Sequence, residues 1–332
     1  MNPVRTQMNR RSALIAMGTS AVGLAVRLPM QADESAEDLR KVLPNFSQNS
    51  RELLRKVMGD REFSGQIPES LAKQLGRSEN VSADKLMVEL IPLAETYSRA
   101  PISNFHVGVV VRGASGALYL GANIEVPGQC LGFAVHAEQA SLSNAYMHSE
   151  PGVSALAVGA PPCGHCRQFI NEMSPDGEIL ILTPGNPPAK LSSILPSAFG
   201  PAALGMKSGA LPVRESPLAL GASAPPLAMA ALDAARKSYA PYSKSPSGVA
   251  LQSTTGRMYR GSYIENVAFN PSLSPLQTAL AAMIVAGEDY PKISGATLVE
   301  VTGAKISQKA VTEAVLAAIA PNIKLQVVPA GV

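Results

Sequence analysis

The chain has no tryptophan and only three cysteines in 332 residues. Cys130, Cys163 and Cys166 are too few for a disulfide framework, so the fold has to rest on an apolar core. Charged residues make up 16% of the chain against 46% hydrophobic, a balance that excludes intrinsic disorder. The first 32 residues contain no acid, yet they hold Arg5, Arg10, Arg11 and Arg27. Setting those four arginines aside takes the formal net charge from +3 to −1. A body so close to neutral lacks the basic footprint of a nucleic-acid binder. A membrane-spanning stretch is also missing, because the apolar run from Ala13 to Val26 is broken by Gly18 and Gly23 and is too short for a bilayer. Following Arg10-Arg11 directly, that run predicts a leader over residues 1–32, of the twin-arginine export type or an organellar transit type. The bland alternative is a plain N-terminal extension.

What is present is an alternation of helical and extended patterns. Glu52 to Met58 and Ala83 to Tyr97 carry apolar residues at helical spacing, with Ser82 as N-cap of the second. Val107 to Val111 and Leu118 to Leu120 read as a hairpin around the turn Gly113-Ala114-Ser115-Gly116. A helix from about His136 to Met147 follows, then a strand over Val153 to Val158. A further helix over Cys163 to Met173 and a strand over Glu178 to Leu182 complete the unit. This β-β-α-β-α-β order predicts a sheet with helices on its faces. Residues 184–228 are rich in Pro, Gly, Ser and Ala and read as a linker with short structured pieces around Leu191 to Phe199.

The remainder repeats the first unit. Gly108, Gly116, Tyr119, Gly121, Ile124 and Glu125 recur as Gly248, Gly256, Tyr259, Gly261, Ile264 and Glu265, every pair offset by 140. With a one-residue gap, His136-Ala137-Glu138 falls opposite Pro275-Leu276-Gln277. No cysteine follows Cys166, so the second copy cannot rebuild a thiolate site.

The chemistry concentrates in two short strings. His136-Ala137-Glu138 is followed, 25 residues after Glu138, by Cys163-Gly164-His165-Cys166 with Pro162 before it. Cysteines three apart share a helix face, and His136 offers a third donor. Three protein ligands leave zinc an open fourth position, the mark of a catalytic site. Glu138 lies roughly 200° from His136 on a helix, so it suits a proton shuttle better than a fourth ligand. The spacing matches the described signature of zinc-dependent base and nucleoside deaminases.

These strings, together with Ile102 to Gly108, Gly121 to Glu125, Tyr239 to Val249 and Ser262 to Gln277, resemble cytidine deaminases of the two-domain, homodimeric type. The resemblance spans about residues 85–300. It implies an α/β fold: a duplicated cytidine-deaminase-like α/β/α sandwich, each copy a mixed sheet flanked by helices, with a small helical N-terminal region. The expected division is a leader over 1–32 and a helical region over 33–84. A zinc-containing catalytic domain over 85–190, a linker over 191–226 and a zinc-free repeat over 227–332 follow.

For function the resemblance implies hydrolytic deamination of cytidine and 2′-deoxycytidine to uridine and 2′-deoxyuridine, with release of ammonia, by zinc-activated water, in pyrimidine salvage. By position His136, Cys163 and Cys166 match the ligands of one zinc ion per subunit, and Glu138 the proton shuttle. Asn123 and Glu125 match the pair that holds the ribose hydroxyl, Phe105 the ring that packs on the base, and Phe199 an aromatic from the partner subunit of a homodimer. The substrate is then a free nucleoside, not a nucleic acid, and the location cytoplasmic, with export or an organelle as the alternative. The chain departs from many bacterial members at Ala160-Pro161, where they carry Tyr-Thr; contacts near the base are what this touches.

Blander readings stand beside these. Cys163-Gly164-His165-Cys166 alone is also a redox dithiol string, but His136 and Glu138 at deaminase spacing argue against it. A polynucleotide deaminase and a catalytically idle binding protein are the other classes. His165 would crowd an ion held by Cys166, so it reads as a structural neighbour. His106 and His148 read as surface or satisfied polar residues, and Cys130 as a small core residue. Glu125 could be a strand-end acid and Phe105 plain core.

Overall fold

The computed structural model describes residues 39–221 and 223–331, and the expected leader over 1–32 lies outside them. Helices α1 (Gln48–Met58), α2 (Glu69–Glu79), α3 (Ala83–Glu89) and α4 (Ile91–Glu95) lead in, with a short strand β1 (Gln66–Ile67) after α1. The Ser82 hydroxyl caps α3 by accepting from the Lys85 N–H at 3.2 Å. The single helix expected over Ala83 to Tyr97 divides at Leu90, because Pro92 in the first turn of α4 brings no N–H. Helix α2 was not anticipated. Lys73, Gln74, Gly76 and Arg77 dilute its apolar face, and Leu75 alone on it is fully buried.

The first sheet contains β1, β2 (Gly108–Gly113), β3 (Leu118–Ala122), β4 (Val153–Val158), β5 (Leu180–Leu182) and β6 (Ala189–Lys190) in the order β1-β3-β2-β4-β5-β6. Only β4 and β5 run parallel; the other neighbours are antiparallel. Helix α5 (Ala137–Met147) joins β3 to β4, and α6 (Gly164–Met173) joins β4 to β5. The short α7 (Leu191–Ile194) opens the proline-rich stretch.

The second sheet repeats this core. After α8 (Pro226–Arg236) come β7 (Ser247–Ser253), β8 (Met258–Ser262), α9 (Pro275–Val285), β9 (Ile293–Val301), α10 (Lys309–Ile319) and β10 (Leu325–Ala330). The strand order β10-β9-β7-β8, with β9 and β10 parallel, reproduces β5-β4-β2-β3. Even the bulge at Arg112/Gly113 returns at Gln252/Ser253. Gly116 and Gly256, at φ +87° and +84°, turn the two hairpins in a conformation that glycine alone adopts freely. At Gly121 and Gly261 a side chain would strike the backbone of α5 and α9 respectively, so both positions let a helix press onto its sheet.

The structure corrects the expected alignment of the repeat. The bridge Ile124–Val135 returns as Ile264–Leu273, and α5 begins at Ala137 where α9 begins at Pro275. The gap is therefore two residues, the loop after Glu125 being that much longer than the loop after Glu265. His136 corresponds to Ser274, Glu138 to Leu276 and Gln139 to Gln277.

The two copies share one apolar core. Buried Tyr146 and Phe169 of the first copy and Leu280 and Met283 of the second belong to the same cluster. A buried ion pair joins the copies as well, Arg99 Nε to Asp289 Oδ2 at 2.7 Å. Cys130 departs from expectation. It is exposed, because it lies in the loop outside both sheets, just before the 3₁₀ turn Leu131–Phe133.

Candidate active site

Two helix starts build the metal-binding group. His136 is the N-cap of α5, extended at φ −78°, ψ 151°, and Cys163 is the N-cap of α6. Histidine is a poor helix cap. Its N–H donates to the Gln139 side chain at 3.2 Å, and its imidazole faces the two cysteine sulfurs. Cys163 Sγ accepts from the Cys166 N–H at 3.4 Å, so the thiol itself caps α6.

The three donor atoms converge. His136 Nδ1 lies 3.2 Å from Cys166 Sγ and 3.7 Å from Cys163 Sγ, and the sulfurs are 3.3 Å apart. Tetrahedral coordination with Zn–S of about 2.3 Å and Zn–N of about 2.0 Å spaces ligand atoms by roughly 3.5 to 3.8 Å. The observed separations approach that pattern. Cys166 is fully buried and Cys163 is open to solvent. Burial, then the neighbouring Glu138 and Cys163, push the Cys166 thiol well above its ordinary range. Two soft sulfurs with one imidazole are a donor set that suits zinc. The residues present therefore fit the metal. Among the described residues, this is the one group of three or more His, Cys, Asp or Glu side chains so placed.

Glu138 is buried in the first turn of α5, beside Cys166. The His165 ring stacks on that of His136, centroids 5.2 Å apart, and burial followed by the His136 charge lowers its pKa.

Next to this group lies a braced loop. The Ile124–Val135 bridge sets Glu125 and His136 on either side of one backbone pairing. The Glu125 carboxylate accepts from the N–H groups of Ile102 and Ser103 at 2.7 and 3.0 Å and from the Ser103 hydroxyl at 2.5 Å. Burial alone would raise its pKa, but these bonds outweigh that and lower it. Asn123 Oδ1 accepts from the Ser98 hydroxyl at 2.6 Å and the Val107 N–H at 2.9 Å, while Nδ2 donates to the Phe105 carbonyl at 2.9 Å. Asn123 and Glu125 thus hold the chain on both sides of Phe105, which is 62% exposed. Phe199 is also exposed, at 51%, and its carbonyl accepts from Gln168 Nε2 of α6 at 2.7 Å. No bond ties it to Phe105.

The same brace exists in the second copy. Glu265 accepts from the N–H groups of Tyr242 and Ser243 at 2.8 and 3.2 Å. The loop Ala240-Pro241-Tyr242-Ser243 parallels Ala100-Pro101-Ile102-Ser103. Part of what Glu125 does is therefore architectural.

Reasoning from sequence missed Gln139, Gln277, Ser103 and Glu172. Gln139 Nε2 donates across the copies to the Pro271 carbonyl at 3.1 Å. Gln277 Nε2 donates the other way, to the Phe133 and Ala134 carbonyls at 3.1 and 3.3 Å. A glutamine three residues after each N-cap was the readable signal, hidden by the gap being set one residue short.

Known families account for both copies. Residues 81–182 match a family described as the cytidine and deoxycytidylate deaminase zinc-binding region, and residues 191–313 match a second family of the same description. A cytidine deaminase of Vibrio atlanticus is 43% identical over 267 residues, covering 80% of this chain and 90% of the relative. One of Vibrio vulnificus is 46% identical over 255 residues, covering 77% and 85%. One of Vibrio parahaemolyticus is 43% identical over 280 residues, covering 84% and 94%. With a donor set suited to zinc and relatives matched over nearly their full length, the chain belongs to the cytidine deaminase family.

Proposed function

We propose that the protein deaminates cytidine and 2′-deoxycytidine hydrolytically to uridine and 2′-deoxyuridine, releasing ammonia, in pyrimidine salvage. The observation that carries this reading is the convergence of His136, Cys163 and Cys166 within 4.8 Å in a chain of this family. Zinc held by His136, Cys163 and Cys166 would supply Lewis acidity, bringing the pKa of water towards neutrality.

In this reading Glu138 takes a proton from the attacking water and delivers it to ring N3, which makes C4 electrophilic. The hydroxide left from that water bonds to C4. Glu138 then takes the proton of the new C4 hydroxyl and passes it to the amino group, the C4–N bond breaks as the C4 carbonyl forms, and ammonia leaves. The burial of Glu138 suits this work, because a carboxylate shielded from bulk water exchanges its proton with the substrate. Asn123 and Glu125 receive the ribose hydroxyl at the loop they brace, and Phe105 packs on the base. The exposed rings of Phe105, Phe199 and Phe269 support a homodimer in which a partner covers them and Phe199 reaches the other subunit's site.

The catalytic domain in this reading is 85–190, joined by the 191–226 linker to the zinc-free domain at 227–332, with the helical region at 33–84. Among the described residues no helix is long and apolar enough to cross a membrane. The reading places the enzyme in the cytoplasm, where salvage operates, and makes export through the Arg10-Arg11 leader the alternative, which cell fractionation decides.

The test is cytidine turnover by purified protein lacking residues 1–32, followed by loss of cytosine absorbance. Uridine and ammonia in equal amounts support the reading. A zinc-loaded protein that leaves cytidine and deoxycytidine untouched sinks it.

A further inference from the structure

The helix that carries the two cysteines is tied to the copy that has none. Glu172, in the last turn of α6, is completely buried, and its carboxylate accepts three hydrogen bonds, all from the second copy. The Tyr239 and Tyr242 hydroxyls donate to Oε1 at 2.8 and 2.6 Å, and the Val267 N–H donates to Oε2 at 2.8 Å. One helical turn earlier, Asn266 Nδ2 donates to the Gln168 carbonyl at 3.0 Å. Tyr239 and Tyr242 sit on the loop braced by Glu265, the counterpart of the Phe105 loop braced by Glu125. In the first copy that loop lies beside the metal-binding group. In the second it grips α6.

The other ligand-bearing helix is anchored to the same body. Gln139, three residues after His136, reaches the Pro271 carbonyl, and Gln277 reaches back to the carbonyls just before His136. His136 and the cysteine pair come from separate helices, so the spacing between imidazole and sulfurs depends on what holds α5 against α6. The metal-free copy holds both.

We propose that Glu172 is a positioning residue for the metal site: its carboxylate locks α6 to the metal-free copy and thereby fixes Cys163 and Cys166 against His136. The proposal rests on zinc binding at those three residues. Burial raises the Glu172 pKa while its three donors oppose the rise. A carboxylate accepts from all three, whereas an amide would turn its own N–H groups towards one of them. Groups that orient a metal's ligands change metal affinity or activity by about 10- to 100-fold when removed.

The experiment uses zinc-loaded full-length protein and three variants, Glu172→Gln, the double variant Tyr239→Phe/Tyr242→Phe, and the milder Tyr242→Phe. Three readouts are taken: the rate of zinc release to a chelator, the visible spectrum of the cobalt-substituted protein, and kcat and KM for cytidine. Glu172→Gln and the double variant should release zinc on the order of 10-fold faster. Their cobalt bands should shift and kcat should fall with KM little changed. Tyr242→Phe, which keeps two of the three bonds, should fall between them and the wild type. Buried packing alone would lower the melting temperature without moving the cobalt spectrum or the release rate, and that outcome overturns the proposal. Should Glu172→Gln fail to fold, an unaltered spectrum and release rate in the tyrosine variants overturns it equally. A wild-type protein that holds no zinc removes the metal site itself, a result distinct from wild-type zinc binding with unchanged release in every variant.

Discussion

At the start of α5 the N-cap is His136, and at the start of α9 it is Ser274. Both helices run eleven residues. Both place a glutamine at the third position, where it returns to the N-cap N–H, at 3.2 Å in one copy and 2.9 Å in the other. Ser274 completes the capping box by accepting the Gln277 N–H at 3.3 Å, the ordinary solution for a helix start. His136 turns its ring to two sulfurs. Where Glu138 brings a buried acid, Leu276 brings a hydrocarbon. The comparison teaches that both helix starts share the glutamine and the helix, whereas the proposed chemistry draws, from this helix start, on the N-cap and the residue two places on. Substitutions at matched positions can separate the two requirements.

The largest effect falls on the acid. Glu138→Gln should retain zinc and lose turnover by about 10²- to 10⁴-fold, the usual worth of a positioned proton-transfer group. Leu276→Asn, the matched change in the second copy, should leave kcat within experimental error. Zinc content and kcat together test this. A Glu138→Gln enzyme with near-normal turnover would remove the proton shuttle from the reading, and an inactive Leu276→Asn would show that the copies are not separable in this way.

The N-caps come next. His136→Ala should lose metal and activity together, since two sulfurs alone make an incomplete zinc site. Ser274→Ala should keep both and cost about 1 kcal/mol of stability through the lost cap. Metal analysis after gel filtration and a denaturant melt separate the outcomes. Full zinc retention in His136→Ala would contradict the ligand set.

The glutamines should behave alike, in contrast to the caps they follow. Gln139→Ala strands the Pro271 carbonyl and the His136 N–H, and Gln277→Ala strands the Phe133 and Ala134 carbonyls and the Ser274 N–H. Leaving buried polar groups unpaired costs about 1–3 kcal/mol in each variant. Chemical denaturation is the measurement. A large loss at one glutamine and none at the other would break the equivalence of the two helix starts.

These contrasts also mark what a reader of the sequence could see. The strings around His136 and Cys163 were legible because metal binding restricts residue type at fixed short spacing. The repeat was legible through its glycines, which close approach and left-handed turns impose in both copies. The length of the gap was not, because the loops between Glu125 and Val135 and between Glu265 and Leu273 share no such constraint. Helix α2 was hidden by its polar face. Glu172 was invisible for a different reason: it reads as an ordinary acid at the end of an amphipathic helix, and its three donors come from residues about 70 to 95 positions away. Long-range satisfaction of a buried carboxyl leaves no local pattern.

The smallest effect tests the braced loops, Glu125 against Glu265. The lowered pKa of Glu125 means that its ionised form is favoured in the folded state. A carboxyl of this kind stabilises the fold above its unfolded pKa, near the ordinary 4.5, and loses that contribution as pH falls through the folded value. The wild type should therefore exceed Glu125→Gln in melting temperature at pH 6 to 7, with the difference shrinking below about pH 4.5. The group is partly exposed, so solvent screening keeps the gain under about 1 kcal/mol. Glu265→Gln weakens the matching pair of bonds accepted from backbone N–H groups in a loop that carries Tyr239 and Tyr242, so its cost extends to the grip on α6. Melting temperature against pH for the wild type and both variants is the measurement. A Glu125→Gln difference that widens on acidification would reverse the sign and leave the Ile102–Ser103 brace without its charged acceptor. A Glu265→Gln protein no less stable than Glu125→Gln would mean that the second loop's contacts with α6 do not depend on its brace.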